Sequence, residues 1–151
     1  MVFLGGHALF HSWYYIVSLN ISWSNILVDE RKRSRLKMKG LIVDDDVDYA
    51  DLLKMIFQHE KIDVITINDP SKVLDLFGDL KNIDFVLLDN QMPKISGVEL
   101  SIIIKAHDPS MQIYLMSSCL QMLKFVPLSI SGTFEKPLNF DDIQRLKQIN
   151  A

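Results

Sequence analysis

A chain of 151 residues has room for one domain of ordinary size, and a hydrophobic content of 48% supplies one sizeable core. The formal charge of −3 hides two parts: residues 1–37 carry five basic residues against two acidic, a net +3, and residues 38–151 carry a net −6. An acidic globular part argues against direct binding of nucleic acid, and a single cysteine, Cys119, excludes an internal disulfide and, without a Cys/His cluster, a zinc centre; a reducing, cytoplasmic setting is the expectation.

Residues 1–28 are rich in aromatic and aliphatic side chains and hold both tryptophans, Trp13 and Trp23, before the basic run DERKRSRLKMK. An apolar stretch with a basic flank has the form of a membrane span with its C-terminal side inside. His7, His11, Ser12, Asn20 and Asn25 interrupt it, and no small-residue cleavage site stands out. Residues 1–37 are therefore read as an extension, a disordered tail or a start assigned too far upstream, in preference to a weak membrane anchor. Met38 stands directly before the first core strand and opens the domain, residues 38–151.

GLIVD (40–44) is an apolar run without alternation, as expected of a parallel strand buried on both faces. Residues 47–60 follow as a helix, with Tyr49, Leu52, Leu53, Ile56 and Phe57 at helical spacing. DVITI (63–67) is a β-branched strand, and Asp69-Pro70 opens a helix whose apolar side is Val73, Leu74, Leu76 and Phe77. DFVLL (84–88) is a third strand, 97–106 a helix, QIYLM (112–116) a fourth strand, 118–126 a short helix and SGTFE (131–135) a fifth strand. Asn139, with Asp142 three residues on, caps a last helix whose apolar face is Ile143, Leu146 and Ile149. Strand and helix alternating in this way predict a parallel sheet with helices on both faces, three layers α/β/α, and a ligand site at the C-terminal strand ends.

Those ends carry the chemistry. Asp44, Asp45 and Asp46 follow the first strand, Asp89 the third, Ser117 and Ser118 the fourth, and Lys136-Pro137 the fifth. Converging carboxylates repel unless protonated or neutralised by a cation. Hard oxygen ligands of this kind suit Mg²⁺, which binds a couple of carboxylates and shares its remaining positions with water and phosphate. A lysine and a serine hydroxyl are the groups that hold the oxygens of a phosphoryl group in transfer, and an aspartate can be its covalent acceptor.

LIVDDD, LLDNQMPKISGVEL, YLMSS and FEKP, in that order, resemble the response-regulator receiver family of two-component signalling over about residues 39–149. The 44 residues between Asp45 and Asp89 are the spacing that family leads one to expect. The resemblance implies the flavodoxin-like, CheY-like doubly wound fold of five parallel strands. It implies Asp89 as phosphoacceptor, Asp45 as direct Mg²⁺ ligand, Asp44 as the acid acting through water, and Gln91 as the donor of a backbone carbonyl to the metal. Ser117 matches the hydroxyl that moves toward the phosphoryl group and Lys136 its salt-bridge partner, with Lys136-Pro137 a cis-peptide candidate. Met92-Pro93 and Gly97 match the turn into the third helix, and Asp46 is read as a solvated cap.

Two departures concern signal output. The family places an aromatic residue three positions before the lysine, where this chain has Thr133, with Phe134 beside it. The stretch from Ser117 to Lys136 is short and its CLQMLKFVPLSI unusually apolar, read first as core filler for a shortened unit and second as a partner surface; Leu123, Phe125, Thr133 and Phe134 are the candidate output face. His59 and His107 are read as solvated or capping residues near helix ends, and Cys119 as a small buried or half-buried hydrophobe. The leading expectation is a stand-alone receiver that is not itself an enzyme on other substrates, Ala151 following the last helix at once. Its partners would be a histidine kinase or phosphotransfer protein and a downstream protein, with a homodimer as an open option. The alternatives are a degenerate receiver that binds a partner without phosphorylation, and a haloacid-dehalogenase-like phosphatase with Asp44 as nucleophile and Asp46 as acid/base. The latter family wants Thr or Val where this chain has Asp48.

Overall fold

The computed structural model describes residues 37–78, 80–119 and 126–150. The expectations for residues 1–36, and those resting on Leu123 and Phe125, lie outside these residues. So does most of the short helix predicted over 118–126, of which only the non-helical ends are described. Among the described residues, no helix is long and apolar enough to cross a membrane.

Five strands form one parallel sheet: β1 (Lys39–Val43), β2 (Asp63–Ile67), β3 (Phe85–Asp89), β4 (Gln112–Ser117) and β5 (Gly132–Glu135), in the order β2-β1-β3-β4-β5. The chain crosses between neighbours through α1 (Val47–His59), two 3₁₀ segments (Pro70–Leu76 and Leu80–Asn82) and α2 (Gly97–His107), and it ends in α3 (Phe140–Ile149). The strands read as continuous apolar runs because both faces are covered. Leu41, Val43, Val86, Leu88, Ile113 and Leu115 pack with Val73 and Leu80 of the 3₁₀ segments and with Leu100 and Ile104 of α2. Their alternates Ile42, Phe85, Leu87, Tyr114, Met116 and Phe134 pack with Leu53 and Phe57 of α1 and with Ile143 and Leu146 of α3. The two-residue period of a strand divides one run of residues between two cores. The predicted doubly wound, three-layer fold is the observed one.

Local chemistry sets the helix ends. Ser96 with Glu99 and Asn139 with Asp142 each form a complete capping box, and Asp46 caps α1 by accepting the Tyr49 N–H. At the other end of α1, Lys61 takes a left-handed φ of 63° while the Ile62 N–H returns to the Phe57 carbonyl at 2.9 Å, closing the helix.

Several expectations are corrected. The segment opened by Asp69-Pro70 is a 3₁₀ helix rather than an α-helix. Its apolar residues Pro70, Val73 and Leu76 recur every three positions, which suits three residues per turn and leaves Leu74 on the exposed side. Leu52 is half exposed: at about 100° per residue it stands about 160° from Ala50 and about 140° from Phe57, off the buried face. Ile149 is also exposed, because steps of three from Ile143 drift about 60° each time. Phe134, expected on an output face, is buried, tilted against Tyr114 and covered by the Arg145 guanidinium 4.7 Å from its ring centroid. Cys119, expected buried or half-buried, is exposed. Its N–H bonds back to Ser117 Oγ at 3.1 Å, a turn that carries residue 119 off the end of β4.

Candidate functional site

The strand order reverses direction between β1 and β3, and in such sheets the crevice at that switch point binds ligands. Asp44 is the first residue past β1 and Asp89 the last residue of β3, so the two face each other across the crevice. The Asp44 N–H bonds to the Ile67 carbonyl at 3.1 Å, and Asn68 Nδ2 donates to the Asp44 carbonyl at 2.9 Å, fixing the acid against β2. Asn90 N–H bonds to the Met116 carbonyl at 2.9 Å, anchoring the chain just past Asp89 to β4. Gly97 starts α2 against this same turn. A Cβ there would collide with the Asp89 carbonyl oxygen and the Leu115 side chain, so only glycine permits the approach.

Carboxylate oxygens of Asp44, Asp45 and Asp89 lie within 4.8 Å of one another, with Asp44 and Asp89 buried and Asp45 exposed. Lys136 enters from the end of β5, where its N–H bonds to the Ser117 carbonyl at 2.9 Å. Its Nζ stands 2.7 Å from Asp44 Oδ2 and 2.9 Å from Asp89 Oδ1. Both distances are those of charge-assisted hydrogen bonds, and Asp44 Oδ2 has no exposure to water. Burial pushes the Asp44 carboxyl above the usual aspartate value, Lys136 pulls it back down and Asp89 adds to the rise. Burial alone would lower Lys136, but the bonds and charges of Asp44 and Asp89 outweigh it and hold the ammonium above the ordinary lysine value.

Three carboxylates at one edge against one ammonium leave an excess of negative charge. That donor set fits a small hard cation such as Mg²⁺. Ser117 is buried beside it, its Oγ engaged with the backbone of Cys119. Gln91 lies two residues past Asp89 with an exposed side chain. Thr133 is half-buried, its carbonyl accepting from Arg145 Nη2 at 3.4 Å. The Lys136–Pro137 peptide is cis. His59 is an exposed helix-end residue paired with Glu60, and His107 stacks on Phe77 and contacts its carbonyl oxygen at 3.1 Å. Neither reaches the site.

Two site residues were not legible as such. Tyr49, read as part of the apolar side of α1, places its ring centroid 4.8 Å from Lys136 Nζ. Asn68, between β2 and the first 3₁₀ segment, holds the Asp44 backbone through its side-chain amide. The one available signal for Tyr49 was a polar-tipped aromatic four residues after the acid pair.

Fold and site together define a doubly wound α/β protein with a cation-ready acidic crevice braced by a lysine. The model of the response regulator receiver domain matches residues 41–148, and the chain belongs to that family. It is 30% identical over 113 residues to the transcriptional regulatory protein CpxR of Escherichia coli, covering 75% of this chain and 48% of that one. The chain spans about half or less of the length of the curated relatives it matches. Among solved structures it resembles the response regulator TrrA of Thermotoga maritima in complex with Mg²⁺–BeF, with a TM-score of 0.68 and 26% identity over 76% of this chain and 99% of that one. It also resembles the CheX–CheY–BeF₃–Mg²⁺ complex of Borrelia burgdorferi, with a TM-score of 0.68 and 28% identity over 76% and 90% of the two chains. Receiver domains are signalling modules of two-component systems rather than ordinary enzymes.

Proposed function

We propose that this receiver takes a phosphoryl group onto Asp89 from a histidine kinase or a histidine phosphotransfer protein and passes the signal on by contact with a downstream protein. The supporting observation is the crevice itself: Asp89 at the switch point, two further acids within 4.8 Å and Lys136 Nζ 2.9 Å from Asp89 Oδ1. An Asp89 carboxylate oxygen attacks phosphorus, the bond from phosphorus to the donor's imidazole nitrogen breaks, and the departing nitrogen keeps the electron pair. Lys136 holds charge on the transferring oxygens, and the Ser117 hydroxyl, at the neighbouring strand end, turns from Cys119 to meet them. Asp45 and Asp44 are the side chains that would hold Mg²⁺, with Asp89 and the Gln91 carbonyl; bound there, the ion neutralises charge on the phosphoryl oxygens. The domain is taken to begin near Met38 and to work in the cytoplasm, as a monomer or a homodimer.

Incubation with acetyl phosphate and Mg²⁺ should add one phosphoryl group, seen as a mass increase labile to hydroxylamine. Asp89→Asn should abolish it. A full mass shift in that variant would move the acceptor elsewhere, to Asp44 first.

A further inference from the structure

The contacts around Lys136 close into a ring of four residues. Asp44 Oδ1 accepts the Asp46 N–H at 3.1 Å, and Asp46 Oδ1 accepts the Tyr49 N–H at 3.0 Å. The Tyr49 ring centroid then lies 4.8 Å from Lys136 Nζ, which returns to Asp44 Oδ2 at 2.7 Å. Tyr49 also reaches past the lysine, its hydroxyl accepting the Leu138 N–H at 3.0 Å. Pro137 has no N–H to donate, so the nearest backbone donors around the lysine are its own and that of Leu138. The first is held by the end of β4 and the second by Tyr49.

The partners of the ammonium differ in kind. Asp44 and Asp89 are the groups that a cation and a phosphoryl group would occupy, so their hold on Lys136 weakens when the site is used. The face of an aromatic ring attracts an ammonium through its quadrupole, and neither a metal nor a phosphoryl group competes for it here. We propose that Tyr49 is a positioning residue for Lys136: its ring seats the ammonium while the carboxylates turn to other ligands, and its hydroxyl steadies the backbone that carries the lysine. The inference rests on the phosphoryl-accepting reading of the site.

The test compares the full chain as wild type, Tyr49→Phe and Tyr49→Leu. Two readouts are used: the rate of acylphosphate formation from acetyl phosphate, and the NMR signal of the Lys136 ε-methylene, assigned by its loss in Lys136→Arg. The leucine variant should be phosphorylated about fivefold more slowly, the rate equivalent of a contact worth about 1 kcal/mol. Phenylalanine, which keeps the ring, should recover most of that loss. The ε-methylene should be displaced upfield by the ring current in wild type and Tyr49→Phe, and should return to the ordinary lysine position in Tyr49→Leu. Equal rates and unmoved signals in all three proteins overturn the proposal. So does a phenylalanine variant as slow as leucine with its Lys136 signal unchanged, which would make the tyrosine a backbone tie alone. Should Tyr49→Leu not fold, the wild-type signal decides: an ε-methylene at the ordinary position leaves no seat. If wild type takes up no phosphoryl group, the functional reading falls, while the Lys136 signal still judges the seat on its own.

Discussion

Lys136→Met keeps most of the side chain's apolar stem and deletes the ammonium that touches Asp44 Oδ2 at 2.7 Å and Asp89 Oδ1 at 2.9 Å. Buried carboxylate oxygens within 4.8 Å then face each other uncompensated. At an effective dielectric constant of ~20, two unit charges at that separation repel by about 3.5 kcal/mol. Deleting one partner of a buried ion pair costs about 3–5 kcal/mol, which leads to the same scale by a separate route. The metal-free variant should therefore lose about 3 kcal/mol at neutral pH, or about 10 °C in melting temperature. Mg²⁺ reverses the ranking of effects. In wild type the ion must compete with the ammonium for the carboxylate oxygens, whereas in Lys136→Met it relieves their repulsion. Millimolar Mg²⁺ should accordingly raise the melting temperature of the variant by more than that of wild type. Calorimetry in EDTA and in MgCl₂ measures both quantities. Equal Mg²⁺ shifts in the two proteins, or a variant as stable as wild type in EDTA, would refute the reasoning.

Asp45→Ala removes the exposed carboxylate of the cluster and should weaken Mg²⁺ binding on the order of tenfold or more, read by titration calorimetry; unchanged affinity would displace Asp45 as a ligand. Gly97→Ala places a methyl against the Asp89 carbonyl, which backbone cannot yield cheaply, so urea denaturation should show a loss of about 1–3 kcal/mol. Phosphorylation of that variant should slow as the end of β3 shifts, and a wild-type denaturation midpoint would show that the contact is relieved at no cost. Glu60 at the end of α1 is held below the ordinary glutamate value, first by the Gln144 side-chain bond and then by His59 and Lys147. A lowered acid stabilises above its unfolded value of 4.5 and loses that contribution as pH falls through the folded one. The stability difference between wild type and Glu60→Gln should thus be present near neutrality and shrink in acid, and a difference independent of pH would exclude the ionised pairing.

The receiver fold and the set of acids were readable along the chain because both are written in local terms. A strand buried on both faces must be continuously apolar, which marked β1, β3 and β4. A side chain that ends such a strand must stand at the sheet's edge, which marked Asp44, Asp89, Ser117 and Lys136 before any contact was known. Capping residues Asp46, Ser96 and Asn139 act on the three residues that follow them, so helix starts were equally local. What the chain order could not decide were relations between elements. Whether Pro70–Leu76 winds as an α or a 3₁₀ helix depends on which residues find a sheet to cover. Whether Phe134 faces a partner or the core depends on Tyr114 and Arg145, both distant in sequence. Tyr49 lies 87 positions from Lys136, and its polar tip close after the acid pair does not by itself separate a ring that fills a core from one that carries an ammonium. Only the packing of α1 across the sheet from the end of β5 brings ring and charge together, because an electrostatic seat is a property of two surfaces and not of either sequence segment.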